Sequence, residues 1–400
     1  MTGRQLREPE RCIPVVGEYD VVVAGGGIAG VAAAIAAARE GATTCLVEKE
    51  NAVGGLATLG LVEVYLPLCD GRGRQVIGGL AEDLLLNSVK YGPGQVPECW
   101  ANENGDIQER SKQRYRLIFN PASFVISLEE QLLQAGVQVM YDTRVCNVLI
   151  KEGYIEALIV ENKSGRLALR ATNVVDASGD ADVCSLAGES TVSLDTNRRA
   201  GWFIANVGGR TESQHLSDPL YKDPPPGAKT YSGDCWEDVT EMSIVGRRMI
   251  LKRIDHLRQQ EGYDKVYPLV IPTIPLFRMT RRLEGAFELD EADDKRFFPD
   301  AIGMTGDWRK PGPIFYIPYR CLLAVQTKNL IAAGRCISVT TSAWDITRAI
   351  PTCAVTGEAA GMAAAMSART RQELSRLDPN DLQSQLKEHG VIIDKPDGRI

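Results

Sequence analysis

The chain has 400 residues, 44% hydrophobic and 24% charged, with ten cysteines, three histidines and a net charge of −7. That length exceeds one simple core and predicts two lobes, not necessarily continuous in sequence. The acidic balance argues against nucleic acid as the main partner, no apolar run approaches the roughly 20 residues that span a bilayer, and no cysteines are spaced C-x-x-C or C-x₄-C, which removes the usual iron–sulfur, zinc and redox-disulfide signatures.

The N-terminal arm, MTGRQLREPERCIPVVGEYD, is polar and lacks an apolar signal core, so a reducing cytoplasm is the expected compartment. Val21–Val23 is a short β-branched run, as in a strand buried on both faces. Gly25, Gly27 and Gly30 follow as G-x-G-x-x-G. A helix is predicted from Ile28 to about Arg39, with Gly41 as its stop, and a second strand over Thr44–Val47. Glu48 closes the unit, 23 positions after Gly25. Gly25 permits the tight turn, Gly27 lets backbone approach a pyrophosphate, and Gly30 allows close helix–strand packing. The helix N-terminus offers free N–H groups to phosphate, and Glu48 can accept from ribose hydroxyls. Strand, turn, helix and acid in this order predict a dinucleotide site.

Gly54-Gly55 with Ala57, Thr58 and Gly60 is either backbone lying close to a flat ligand or a flexible turn. A helix is expected over Gly78–Tyr91, then a loop over Gly92–Arg110. Asn120 is an N-cap and Pro121 a first helical residue for a helix that buries Phe124, Leu128 and Leu132 and stops at Gly136. From Val137 the period becomes two. Val137–Tyr141, Val145–Ile150, Ile155–Glu161 and Leu167–Ala171 read as an antiparallel meander, with another strand over Asn173–Ala177.

Residues 199–300 differ in texture: a proline-rich loop, a helix from about Glu241 to Gln259 with Arg247, Arg248, Lys252 and Arg253 on its solvated face, the extended stretch Pro268–Pro275, and the arginine-rich Arg278–Gly285. The last third returns to the first texture, with a strand over Asn329–Ala333, Gly334-Arg335, and a helix over Pro351–Met366. Gly357 and Gly361 share one face of that helix, so something must come very close there. A short helix is expected near Asp381–His389 in a polar tail.

The blocks DVVVAGGGIAG…LVEKENAVGGLATLG, DTRVCNV, NVVDASGDADVCSLAG and NLIAAGRCIS…RAIPTCAVTGEAAGMAAA resemble the FAD-dependent oxidoreductases of the glutathione-reductase-like superfamily, which is similar also to fumarate reductase and succinate dehydrogenase flavoproteins. The resemblance implies an α/β fold: a Rossmann-like FAD/NAD(P)-binding domain with a parallel sheet and an antiparallel meander, plus a smaller α+β cap. The implied division is 17–198 with 316–370 for FAD, 199–315 for the substrate or cap region, and 371–400 as a tail. By position, Gly25, Gly27, Ile28, Ala29 and Gly30 would turn around the FAD pyrophosphate, and Glu48, with Lys49 beside it, would hold the adenosine ribose. Gly55, Leu56, Ala57 and Thr58 would run along the ribityl chain and flavin, and Val145 would meet the adenine. Ala177, Ser178 and Gly179 would close over the pyrophosphate, and Gly334-Arg335 would lie against the ribityl chain. The helix beginning near Pro351 would aim its N-terminus at the flavin pyrimidine, where reduction builds negative charge.

No second G-x-G-x-x-G follows Glu48, so no dedicated nicotinamide module is expected, and the histidine-plus-arginine pattern of fumarate reductases is not recognisable in 200–315. The expected activity is hydride transfer between FAD and a small, anionic or oxygen-rich substrate. Arg281, Arg282 and Arg348 are candidates to anchor it, since guanidinium forks suit carboxylates; their other reading is structural ion pairing. His215 is an acid/base candidate or an exposed loop residue. The alternative activity is a flavin-carrying electron-transfer subunit acting with a protein partner, and a homodimer stays open.

Overall fold

A computed structural model describes residue 6 and residues 8–102, 105–198, 201–215, 229–260 and 265–394. Strand β1 (Val15–Ala24) ends in four fully buried residues; α1 (Ile28–Arg39) and β2 (Thr44–Val47) follow. After α2 (Leu80–Ser88) comes α3 (Pro121–Gln134), where the Asn120 side chain accepts the Ser123 N–H at 2.9 Å as its cap. Strands β3 (Gln138–Met140), β4 (Arg144–Lys151), β5 (Tyr154–Asn162) and β6 (Gly165–Asp176) come next.

A parallel sheet is built on β1. On one side Val21 pairs Thr44 of β2, and Cys45 pairs Gln138 of β3; on the other Val22 pairs Val174 of β6. Val21 and Val23 point into one apolar layer and Val22 and Ala24 into the other, as the two-residue period dictates. Two expectations are corrected here. Val137–Tyr141 does not join the meander: its core, β3, extends the parallel sheet, and only β4, β5 and β6 form the antiparallel ribbon. Leu167–Ala171 and Asn173–Ala177 are one strand, because nothing at Ala171-Thr172 breaks an extended backbone. The strand changes partner instead, pairing β5 antiparallel through Ala157↔Arg170 and β12 (Leu330–Ala332) parallel through Leu330↔Val174.

Strands β7 (Trp202–Val207), β8 (Arg210–His215) and β9 (Val266–Val270) form a separate antiparallel sheet in the order β8-β7-β9. Helix α4 (Trp236–Arg258) packs on it through Ile250, Ile254 and Leu257 against Phe203, Ala205 and Val207. It starts before Glu241 because Glu237 and Asp238 suit a first turn. Strands β10 (Ala301–Gly306) and β11 (Ile314–Pro318) form a hairpin whose Ala301, Ile302, Met304 and Ile314 sit in the main core, although they fall in the stretch expected to form the cap.

Helix α5 (Ile350–Thr370) is buried along almost its whole length. A Cβ on Gly357 would lie 2.2 Å from the Ala29 carbonyl oxygen, and one on Gly361 2.0 Å from that of Ala33. What comes very close is therefore α1. Because 29 matches 357 and 33 matches 361, the two helices run parallel. The tail carries α6 (Pro379–Glu388). Among the described residues no helix is long and apolar enough to cross a membrane.

Candidate active site

The turn between β1 and α1 is closed by contacts only glycine allows. Gly25 has φ +104° and a Cβ there would lie 2.5 Å from the Ala177 carbonyl oxygen, while a Cβ on Gly30 would lie 1.8 Å from that of Gly25. At Gly27, by contrast, a Cβ would meet nothing within 4 Å among the described residues. Gly27 is the N-cap of α1, with no side-chain cap and no acidic residue in the first turn. The first N–H groups of α1 thus face open space at the positive end of the helix, a place that favours an anion.

Glu48 is 7% exposed. Its Oε2 accepts the Gly26 N–H at 2.6 Å and its Oε1 the Glu50 N–H at 2.8 Å. Burial raises its pKa, and these two N–H bonds oppose the rise. A carboxylate has about four acceptor sites, so two N–H groups leave room for ribose hydroxyls.

Sequence-distant segments converge on one open cleft. It is lined by Gly25, Gly27, Ile28 and Ala29 of the glycine turn, by Glu48, Lys49, Gly55, Leu56 and Ala57 after β2, and by Ala177, Ser178, Gly179, Gly334 and Arg335. The α4 helix contributes Val239 and Ser243, and the following segment Thr273, Ile274, Pro275 and Phe277. A recess sharing Gly25, Glu48 and Lys49 extends it past Val145, Arg144 and Arg281.

Three residues expected at the cofactor do not line these spaces. Gly30 is buried in the turn itself. Thr58 is 3% exposed and donates its hydroxyl to the Val53 carbonyl at 2.6 Å, bracing the Gly54-Gly55 turn. Pro351 is buried in the first turn of α5, where Ile350 and Cys353 face the cleft.

The three candidate arginines do not converge. Arg281 lines the Val145 recess, donating to the Asp180 carbonyl at 2.9 Å and to Asp182 at 2.7 Å. Arg282 turns the other way, is 4% exposed, donates to Glu288 at 3.1 Å and lies 5.4 Å from the centre of the Trp344 ring. Arg348 alone lies in the main cleft beside Ile350 and Cys353, ion-paired with Asp345. Its buried Nε has no hydrogen-bond partner among the described residues. His215 ends β8, and its side chain lies outside the described residues.

Other cleft residues carried no sequence signal of their own. Asp180 follows Gly179; its buried Oδ1 makes no hydrogen bond among the described residues, with Arg335 Nη2 at 3.5 Å. Burial raises its pKa and Arg335 opposes the rise. Cys353 is visible only if the whole first turn of α5 is counted. Burial lifts its thiol to about 11, so it stays protonated near neutral pH, and it donates to the Arg348 carbonyl.

The sequence model of the family described as FAD dependent oxidoreductase matches residues 20–223 and 202–386. The chain belongs to this family. Its similarity to individual proteins is more limited. It is 56% identical over 45 residues to a dihydrolipoyl dehydrogenase of Trypanosoma brucei brucei, a match covering 11% of this chain and 9% of that protein. It is 27% identical over 184 residues to a digeranylgeranylglycerophospholipid reductase of Methanoculleus marisnigri, covering 44% of this chain and 42% of that one. These matches span less than half the length of the curated relatives. A p-nitrophenol 4-monooxygenase of Pseudomonas putida is similar in structure, with TM-score 0.50 and 13% identity over 94% of this chain and 87% of that one, a likeness of fold.

FAD is the cofactor of this family of oxidoreductases, and the residues present fit it. The open space over Gly27, the uncapped α1 end and the buried Asp180 carboxylate, paired only with Arg335 at 3.5 Å among the described residues, all face one cleft.

Proposed function

We propose that this FAD-dependent oxidoreductase moves a hydride between bound FAD and a small anionic organic substrate held between the glycine turn and the α4 segment. One observation carries the reading: Arg348 lines the same cleft as Gly27, Val239 and Ser243, and its buried Nε has no hydrogen-bond partner among the described residues. The flavin supplies two-electron chemistry when bound. The chain's own residues bind and orient. The N-terminal N–H groups of α1 meet the pyrophosphate, Glu48 and Lys49 the adenosine ribose, and the Val145 recess with Arg281 the adenine end.

The α5 N-terminus lies farther along the same direction. Six more residues precede Gly357 in α5 than precede Ala29 in α1 ((357 − 350) − (29 − 28) = 6). At about 1.5 Å per residue the two positive helix ends are about 9 Å apart along their common axis. The second end favours negative charge at the redox-active ring system. Arg348 beside it anchors a substrate carboxylate through a charge-assisted fork, held in place by Asp345, which is also 3.7 Å from Arg309. Ile274, Pro275 and Phe277 keep water away from that end.

The test is the visible spectrum of the purified protein, followed by anaerobic titration with small carboxylates. Flavin absorption bands that bleach or shift on addition support the reading. A colourless protein that does not take up added FAD refutes it. Turnover of a small molecule by the isolated protein rejects the partner-dependent alternative.

A further inference from the structure

The cleft continues beyond the site described so far. Ser243, Thr273, Ile274 and Pro275 line both it and a second, narrow crevice between α4 and residues 272–276. The crevice walls are apolar: Met242, Met249 and Ile250 on α4 face Pro272, Pro275 and Leu276. Arg247, exposed, is the one charged group among the described lining residues.

Gly246 lies in the interior of the 23-residue helix α4 and also lines this crevice. Glycine weakens a helix interior relative to alanine, so its presence calls for a reason. At Gly357 and Gly361 the reason is the backbone of α1. At Gly246 a Cβ would meet nothing within 4 Å among the described residues. Among the described residues, no atom occupies the space that this glycine leaves.

We infer that the crevice receives an unbranched apolar tail of the substrate, whose anionic end lies at Arg348. This rests on the reading of the main cleft as the FAD and substrate site. A slot between a helix and an extended segment accepts a linear chain, and methionine thioethers adapt to a flexible one. The crevice then selects among anionic substrates by tail length, a task the Arg348 end cannot perform.

The experiment uses the FAD-loaded protein and a series of linear carboxylates from butanoate to decanoate, with Kd read from perturbation of the flavin spectrum. Kd is expected to fall about three- to fourfold for each added methylene, the value of burying one CH₂, until the slot is full. Gly246→Phe and Met249→Trp, which fill the slot but do not reach the main cleft, flatten that dependence and leave the affinity for butanoate and the flavin content at the parent level. Gly246→Ala, whose Cβ fits the open space, keeps the dependence and controls for helix effects. Equal affinities for all chain lengths in the parent overturn the inference, as does an undiminished length dependence in Met249→Trp. Loss of the FAD reading is separate, since it is seen as a colourless protein before any carboxylate is added.

Discussion

Glu358 offers a sharp test of how the core is wired. It is 1% exposed on α5, and its Oε2 accepts the Leu80 N–H at 2.9 Å, at the N-terminus of α2. Burial is the main influence on this carboxyl; Asp83 adds to it, the Leu80 N–H and Arg39 oppose it, and the pKa is pushed up from 4.5 to about 8. The folded state therefore holds a proton that the unfolded chain releases near 4.5. The stabilisation this brings is complete below that pH and is lost as pH rises through about 8. The difference, 8 − 4.5 = 3.5, at about 1.36 kcal/mol for each tenfold in proton affinity, sets a ceiling of about 5 kcal/mol. Glu358→Gln keeps the shape and an acceptor for Leu80 but cannot ionise. Urea unfolding of the FAD-loaded protein should give similar midpoints for parent and variant near pH 5, and a variant more stable by about 2–5 kcal/mol near pH 9. Parallel stability curves for the two proteins across that range would refute the argument.

Three further outcomes follow from the same contacts. Gly27→Trp fills the open space above the α1 N-terminus, so flavin bound per polypeptide should fall to near zero while the apoprotein keeps its thermal midpoint. Gly361→Val drives a side chain into the Ala33 carbonyl and should destabilise by at least about 1–3 kcal/mol in urea unfolding. Arg348→Ala removes the charge-assisted anchor, worth about 1.5–3 kcal/mol, and should raise KM for an anionic substrate about ten- to hundredfold with the flavin spectrum of the substrate-free protein unchanged.

What was legible in the sequence was local. Gly25, Gly27 and Gly30 fall within six residues, and the strand, turn and helix they imply form as expected; so does the capped helix at Asn120-Pro121. The adjacent arginines show a different failure, since the two-residue period sends neighbours in a strand to opposite faces. In the short strand Arg281–Leu283, Arg281 reaches Asp180 and Asp182 while Arg282 lies over Trp344. Adjacent strand residues cannot both face one substrate, and the period alone implies as much. The α4-side wall was not readable. Val239 and Ser243 share a helix face, but Thr273 arrives only because its N–H meets the Leu59 carbonyl at 2.9 Å, a pairing between residues more than 200 apart.

The two glycines on α5 make the link between packing and function. Read alone, Gly357 and Gly361 fit either a ligand or a neighbouring backbone against that face, and the neighbour is Ala29 and Ala33 of α1. The same pair nevertheless acts on the site. Because the two contacts fix one helix against the other in register, they also fix how far the α5 N-terminus projects beyond that of α1, and with it the spacing of two anion-favouring ends in one cleft. Gly334, at φ +75°, tightens the arrangement, since a Cβ there would lie 2.7 Å from that of Ala29. A bulkier residue at 361 should therefore do more than destabilise. By shifting α5 along α1 it should move Arg348 and the α5 end relative to the glycine turn, so the flavin that remains bound should show an altered reduction potential. A variant that loses stability but keeps the parent potential would show that the register of these helices and the electrostatics of the cleft are independent.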